Sequence, residues 1–155
     1  MRKYDYAIGV IKQTRLNMIK IIKAYSIEDI NTIPEDINNN LIWNFVHVIV
    51  THQLLCYALA GEKPILDPTM IDAYRKGSTP DEAVNEEDLN TYISMATDTL
   101  DQFKIDIEKG MFQNYKPYET SFGLTLNSLE DAIHFNLAHE GMHLGAMINI
   151  RKLLQ

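Results

Sequence analysis

The sequence predicts an all-α protein, a four-helix bundle with a long connection between its second and third helices. Three observations lead there. Four stretches of roughly 20 residues place apolar side chains three or four positions apart, the repeat of one helix face. Clusters of Pro, Gly, Asn and Asp, which favour turns and helix ends, separate these stretches. The segment between the second and third is longer than an ordinary loop and suits a crossing from one end of a bundle to the other.

The first helix covers residues 4 to 25, with Tyr4, Ala7, Ile8, Ile11, Met18, Ile19, Ile22 and Tyr25 on its apolar side. SIEDINTIPEDINNN follows, and its Pro34, Asn and Asp residues predict turns and caps. The second helix begins near Asn40 and runs through LIWNFVHVIVTHQLLCYALA to Gly61, a C-terminal stop with Pro64 just beyond. Its apolar residues wrap most of the way around, which predicts burial on more than one side. From Glu62 to Asn85 the chain carries Pro64, Pro68, Gly77 and Pro80, with a short helical turn expected around Thr69 to Tyr74. If this connection crosses the bundle, helices two and three run parallel. The third helix opens on Glu86, Glu87 and Asp88, where negative charge suits the N-terminal dipole, and stops before Gly110. Met111 to Thr125 reads as irregular or as a short β-like excursion. Asn127 or Ser128 then caps the last helix, Leu129 to Leu154.

The 155 residues suit a single domain spanning 1–155. Of them 46% are hydrophobic and 23% charged, and no uninterrupted apolar run approaches the ~18 residues of a membrane span, so a soluble protein is expected. MRKYDYAIGVIKQTRLNMIK lacks the features of a secretory signal, which points to the cytoplasm. A net charge of −7 argues against nucleic acid and anionic membranes as partners. The sole cysteine, Cys56, lies in LLCYALA and reads as a buried, inert thiol.

Chemistry centres on His139-Glu140-Gly141-Met142-His143. Histidines four apart on a helix sit one above the other and can share a metal ion, and the apolar neighbours Phe135, Met142, Ala146 and Ile150 turn the pair inward. A third ligand is needed. His47 is the candidate, since it shares a face with Trp43, Val50, Thr51 and Leu54. His52, turned by about 140° from His47, is second choice, and His134 reads as a surface or helix-start residue. The five residues also match the H-E-x-x-H protease pattern. That reading fails on spacing: Ala146 and Asn149 stand where a longer zinc-protease motif needs Gly and His, and no acidic residue follows His143 to serve as a downstream ligand. Glu140 is accordingly expected to be a solvated or supporting carboxylate and not a general base.

WNFVHVIVTHQLLCYALAGEKP, the Lys76-Gly77-Ser78 turn with Pro80, and HEGMHLGAMINIRKLL together resemble the DinB/YfiT-like superfamily, in order and over nearly the whole chain. The resemblance implies a four-helix bundle and a divalent metal, usually nickel or zinc, on one histidine of helix two and an H-x-x-x-H pair of helix four. These correspond to His47, His139 and His143. Many chains of the family read H-x-G-Q from the last histidine, whereas this one reads His143-Leu144-Gly145-Ala146, without that polar group. The resemblance further implies homodimerisation and small-molecule chemistry: thiol-dependent transferases and isomerases using a low-molecular-weight thiol such as bacillithiol or mycothiol, so that a thiol-dependent S-transferase is expected, or a metal-dependent hydrolase using the three-histidine site. The alternative is a non-catalytic metal-binding bundle acting as a stress-response or interaction module. A cavity open to the histidines would favour the enzyme.

Overall fold

The computed structural model describes residues 3–154; Met1, Arg2 and Gln155, the ends of the expected 1–155 domain, lie outside the described residues. Helix α1 (Asp5–Ile22) leads into a five-residue helix α2 (Ile27–Asn31), where only turns were expected. Ser26 and Asp29 form a reciprocal capping box there, and Ile30 anchors the turn in the core with no exposed surface. Helix α3 (Leu41–Cys56) starts at Asn40, whose side chain accepts from the Trp43 amide at 2.8 Å. It ends earlier than the sequence suggests: a 3-10 turn at Ala58–Ala60 intervenes before Gly61, whose φ of +80° stops the helix.

The long connection contains α4 (Pro68–Tyr74), the helical turn expected there. Helix α5 (Glu86–Glu108) begins with a second capping box, Asn85 with Asp88. A small hairpin of two-residue strands follows, β1 (Tyr118–Glu119) antiparallel to β2 (Thr125–Leu126), with Tyr118 opposite Leu126. Helix α6 (Leu129–Leu153) is capped by Ser128, which accepts from Asp131.

Side-chain pairings give the directions of the four long helices. Asp5 pairs with Lys104 and Lys12 with Asp101, so α1 and α5 are antiparallel. Lys3 meets Glu130 at one end and Tyr25 donates to the Arg151 carbonyl at the other, so α1 and α6 are parallel. Asn44 lies beside His143 and Cys56 beside Asn136, which makes α3 and α6 antiparallel. His52 packs on Phe103 and Tyr57 donates to Asp106, so α3 and α5 are parallel. The connection through α4 therefore does cross from one end to the other.

Leu41–Ala60 is long and apolar enough to cross a membrane by length and composition, although Asn44, His47, Thr51, His52 and Gln53 keep it from being an uninterrupted apolar run. In the fold, 83% of its window is buried, as a core helix requires. The core has two clusters, one around Ile22, Leu41, Phe45, Ile49 and Met147, the other around Ile11, Tyr57, Leu100, Phe103 and Ile133. Burial of such aliphatic and aromatic side chains contributes roughly 1.5–3 kcal/mol each.

Candidate metal centre

The three predicted histidines converge. One ring nitrogen from each of His47, His139 and His143 lies within 4.8 Å of the others, and the ring centroids of His139 and His143 are 4.6 Å apart. Helix periodicity brings the last two together on α6. Antiparallel packing of α3 brings His47 to them across the core.

Two of the rings are oriented by neighbours. The Nδ1 of His47 lies 2.7 Å from the Tyr74 carbonyl oxygen. A carbonyl only accepts, so that nitrogen carries the proton and the lone pair is left on Nε2. Trp43 stacks on the same ring at 4.4 Å and 11° and holds its plane. On the other helix, His143 Nδ1 lies 2.8 Å from Asn44 Oδ1. The Asn44 amide is itself fixed, because its Nδ2 donates to Asn39 Oδ1 and to the Asn40 carbonyl, both at 2.8 Å. His143 must therefore donate from Nδ1, again leaving Nε2 free. Partners of this kind set the tautomer and orientation of metal-ligating histidines. Replacing Asn44 with alanine is expected to weaken metal binding by about 10–100-fold, with Asn44→Asp largely restoring it; competition with a chromophoric chelator measures both.

The remaining features also fit a metal. His139 Nδ1 is buried and has no hydrogen-bond partner among the described residues. All three imidazoles are kept neutral, as ligation demands. Burial first, then the nearby rings, lowers the His139 pKa to about 3 and that of His143 to about 4, and burial also lowers that of His47. The sign of the resulting pH dependence is definite. Below the ordinary value of 6.5 the unfolded chain takes up protons that the folded chain refuses, so metal-free protein should lose stability as pH falls from about 6.5 towards 4. Urea midpoints of chelator-treated protein at pH 7, 6 and 5 check this; a flat series would mean that the imidazoles protonate within the fold.

The histidines open onto a cavity of about 360 Å³. Leu54 and Leu55 from the end of α3 and Ala58 and Leu59 from the 3-10 turn after it line the cavity, with Phe135 and Met142 from α6 and Tyr118, Thr120, Ser121 and Phe122 from the hairpin. Met142, one of the apolar neighbours of the histidine pair, is 48% exposed at this cavity. The segment before the hairpin is tied to the end of α3, since Tyr115 donates to the Leu55 carbonyl and the Lys116 amide to that of Leu59. That tether places the hairpin over the histidines. Thr51, at the cavity wall, contacts His47 Nε2 at 3.3 Å.

His52, the second choice, does not join the group. Its ring packs edge-on against Phe103 at 4.7 Å, with both nitrogens buried and unpartnered, and burial drives its pKa well down. His134 is exposed and Cys56 fully buried with its thiol pKa raised by burial, as the sequence suggested. Glu140 requires correction. It is not solvated but fully buried, and it receives Arg15 in two-pronged fashion, with Nη2 at 2.7 Å and Nε at 3.0 Å. Arg15 is equally buried and also donates to the Ala96 carbonyl at 3.0 Å. Sequence reading missed Arg15, although it interrupts the apolar stripe of Ile8, Ile11, Met18 and Ile22, a placement that calls for a buried partner.

Residues 11–147 match the DinB superfamily. No functionally curated protein matches the chain. The crystal structure of a conserved protein from Enterococcus faecalis superposes with a TM-score of 0.71 over 99% of this chain and 98% of that one. At 14% sequence identity, this likeness shows the shared fold alone.

Proposed function

Because the chain belongs to the DinB superfamily, we propose that it is a divalent-metal-dependent enzyme that uses a low-molecular-weight thiol, with nickel or zinc on His47, His139 and His143. The four long helices are then the family's four-helix bundle. One observation carries the reading: the three histidines meet at the wall of a cavity large enough for a small organic ligand, so an ion held on them would have a position open to that cavity. A purely structural metal site is closed by four protein ligands, and this arrangement disfavours the non-catalytic module.

A divalent ion held there supplies Lewis acidity, lowering the pKa of a thiol or water at the open position. The chain does the rest. The Tyr74 carbonyl and Asn44 keep the His47 and His143 lone pairs turned inward, so little reorganisation is needed on binding. Leu54, Leu59, Phe122 and Phe135 exclude water around a ligand, which strengthens electrostatic interactions inside. Glu140, held by Arg15, is not available as a proton acceptor in the cavity.

The reaction we favour is thiol transfer: a carbon–sulfur bond forms, a carbon–halogen or similar bond breaks, the leaving group departs as its anion and the thiol proton passes to solvent. Metal-loaded protein incubated with a small thiol and a chlorinated electrophile should release chloride well above the rate of a His143→Ala variant. Equal rates would remove the transferase reading; metal-dependent cleavage of an ester under the same conditions would direct it to hydrolysis.

A further inference from the structure

We infer that Lys76 makes this cavity selective for ligands that join an apolar body to a carboxylate or comparable small anionic group. The inference deepens the thiol-site reading above and rests on it.

Among the described residues, Lys76 is the one cavity-lining side chain with a fixed charge, and no carboxylate lines the cavity with it. In a chain of 21 acidic and 14 basic residues, this reverses the overall balance. The lysine has no internal use: its ammonium makes no hydrogen bond or ion pair among the described residues, whereas its neighbour Arg75 is engaged by Asp72. Its backbone is nevertheless pinned. Two residues before it, the Tyr74 carbonyl receives His47; two residues after it, Ser78 receives Trp43 Nε1 at 3.1 Å. Ser78 closes the turn by donating to the Arg75 carbonyl at 2.8 Å, and Gly77 takes a φ of +89° that other residues rarely adopt. The same helix that supplies His47 thus fixes, through two contacts, the turn that brings Lys76 to the cavity.

The charge balance at the site has one sign. Lys76 lines the cavity with no carboxylate beside it, and a divalent ion on the histidines would add positive charge, so the cavity carries cationic character and no counter-charge of its own. Apolar walls such as Leu54, Leu59, Phe122 and Phe135 add no acceptor for the ammonium. A ligand's carboxylate supplies what is missing, and the flexible lysine stem meets it as a point charge without strict geometry.

The test uses the full chain loaded with cobalt(II), whose sulfur-to-metal charge-transfer absorption reports thiol coordination. The probes are three thiols of equal length: 6-mercaptohexanoate, 6-mercaptohexanol and 6-aminohexanethiol. Wild type should bind the carboxylate about 1.5- to 5-fold tighter than the neutral thiol, the range for a solvent-accessible charge pair, and the amine weakest. Lys76→Gln should shrink that preference to what the metal's own charge leaves, Lys76→Arg should keep it, and higher salt should compress it. Lys76 is exposed, so these variants should fold as wild type does. Coordination of all three thiols with no charge preference, or a preference unchanged in Lys76→Gln, overturns the inference while leaving the thiol site intact. If no thiol coordinates in metal-loaded wild type, the thiol reading fails and this inference falls with it.

Discussion

Replacing Arg15 with methionine should destabilise the protein by about 3–5 kcal/mol, the range for stranding one partner of a buried ion pair. Neither Arg15 nor Glu140 has any exposed surface, so water cannot take over the lost contacts. Burial pushes the Glu140 pKa upward, with Arg15 opposing that shift, and removing the guanidinium leaves burial unopposed. The pH dependence follows from the sign. A carboxyl whose folded pKa lies above its unfolded value contributes stability at low pH that is lost as pH rises, so the deficit of Arg15→Met should deepen between pH 5 and pH 8. Replacing both partners with apolar residues removes the stranded charge, so Arg15→Met with Glu140→Met should recover most of the loss. Urea unfolding of the three proteins measures these values. A single-variant loss below about 1 kcal/mol would show that the pair is solvated in solution. The double variant should also retain its metal, since neither side chain belongs to the histidine group.

The second large effect is on metal content. Protein purified without chelator should carry about one divalent ion per chain, and alanine at His47, His139 or His143 should each reduce that to near zero. Two imidazoles alone leave half of a tetrahedral site to solvent. His52→Leu and His134→Ala should keep wild-type content, because one ring packs against Phe103 and the other is exposed. Metal added at a hundredfold excess over its Kd should stabilise wild type by about 2.7 kcal/mol and leave the three ligand variants unaffected.

The histidine site was largely legible in the sequence because its information is local. A four-residue spacing puts His139 and His143 on one side of one helix, and the apolar neighbours of His47 turn it inward. Trp43 and Thr51, named from the same helix face, do contact the His47 ring. The turn at Pro68–Tyr74 and the β-like excursion at Tyr118 were likewise readable from punctuation and composition. What escaped depends on which helices meet. Glu140 sits 125 positions from Arg15, and no periodicity within α6 shows that α1 runs alongside it with a cation at the same level. Asn44 meets His143 only because α3 and α6 pack antiparallel, a contact that spacing along α3 alone does not show. The Tyr74 carbonyl is a backbone group, so residue type could not announce its role. In α2, a capping box and one buried isoleucine were enough to form a helical turn within a segment whose Asn, Asp and Pro favour loops.

The most direct test of the central claim, three histidines holding a metal with one position open to the cavity, is X-ray absorption at the metal edge before and after addition of a small thiol. Before addition, the spectrum should show three imidazole nitrogens at about 2.0–2.1 Å with a light-atom ligand from solvent; afterwards, one sulfur at about 2.3 Å should replace that ligand while the imidazoles stay. A shell of four protein donors unchanged by thiol, or fewer than three imidazoles, would contradict it.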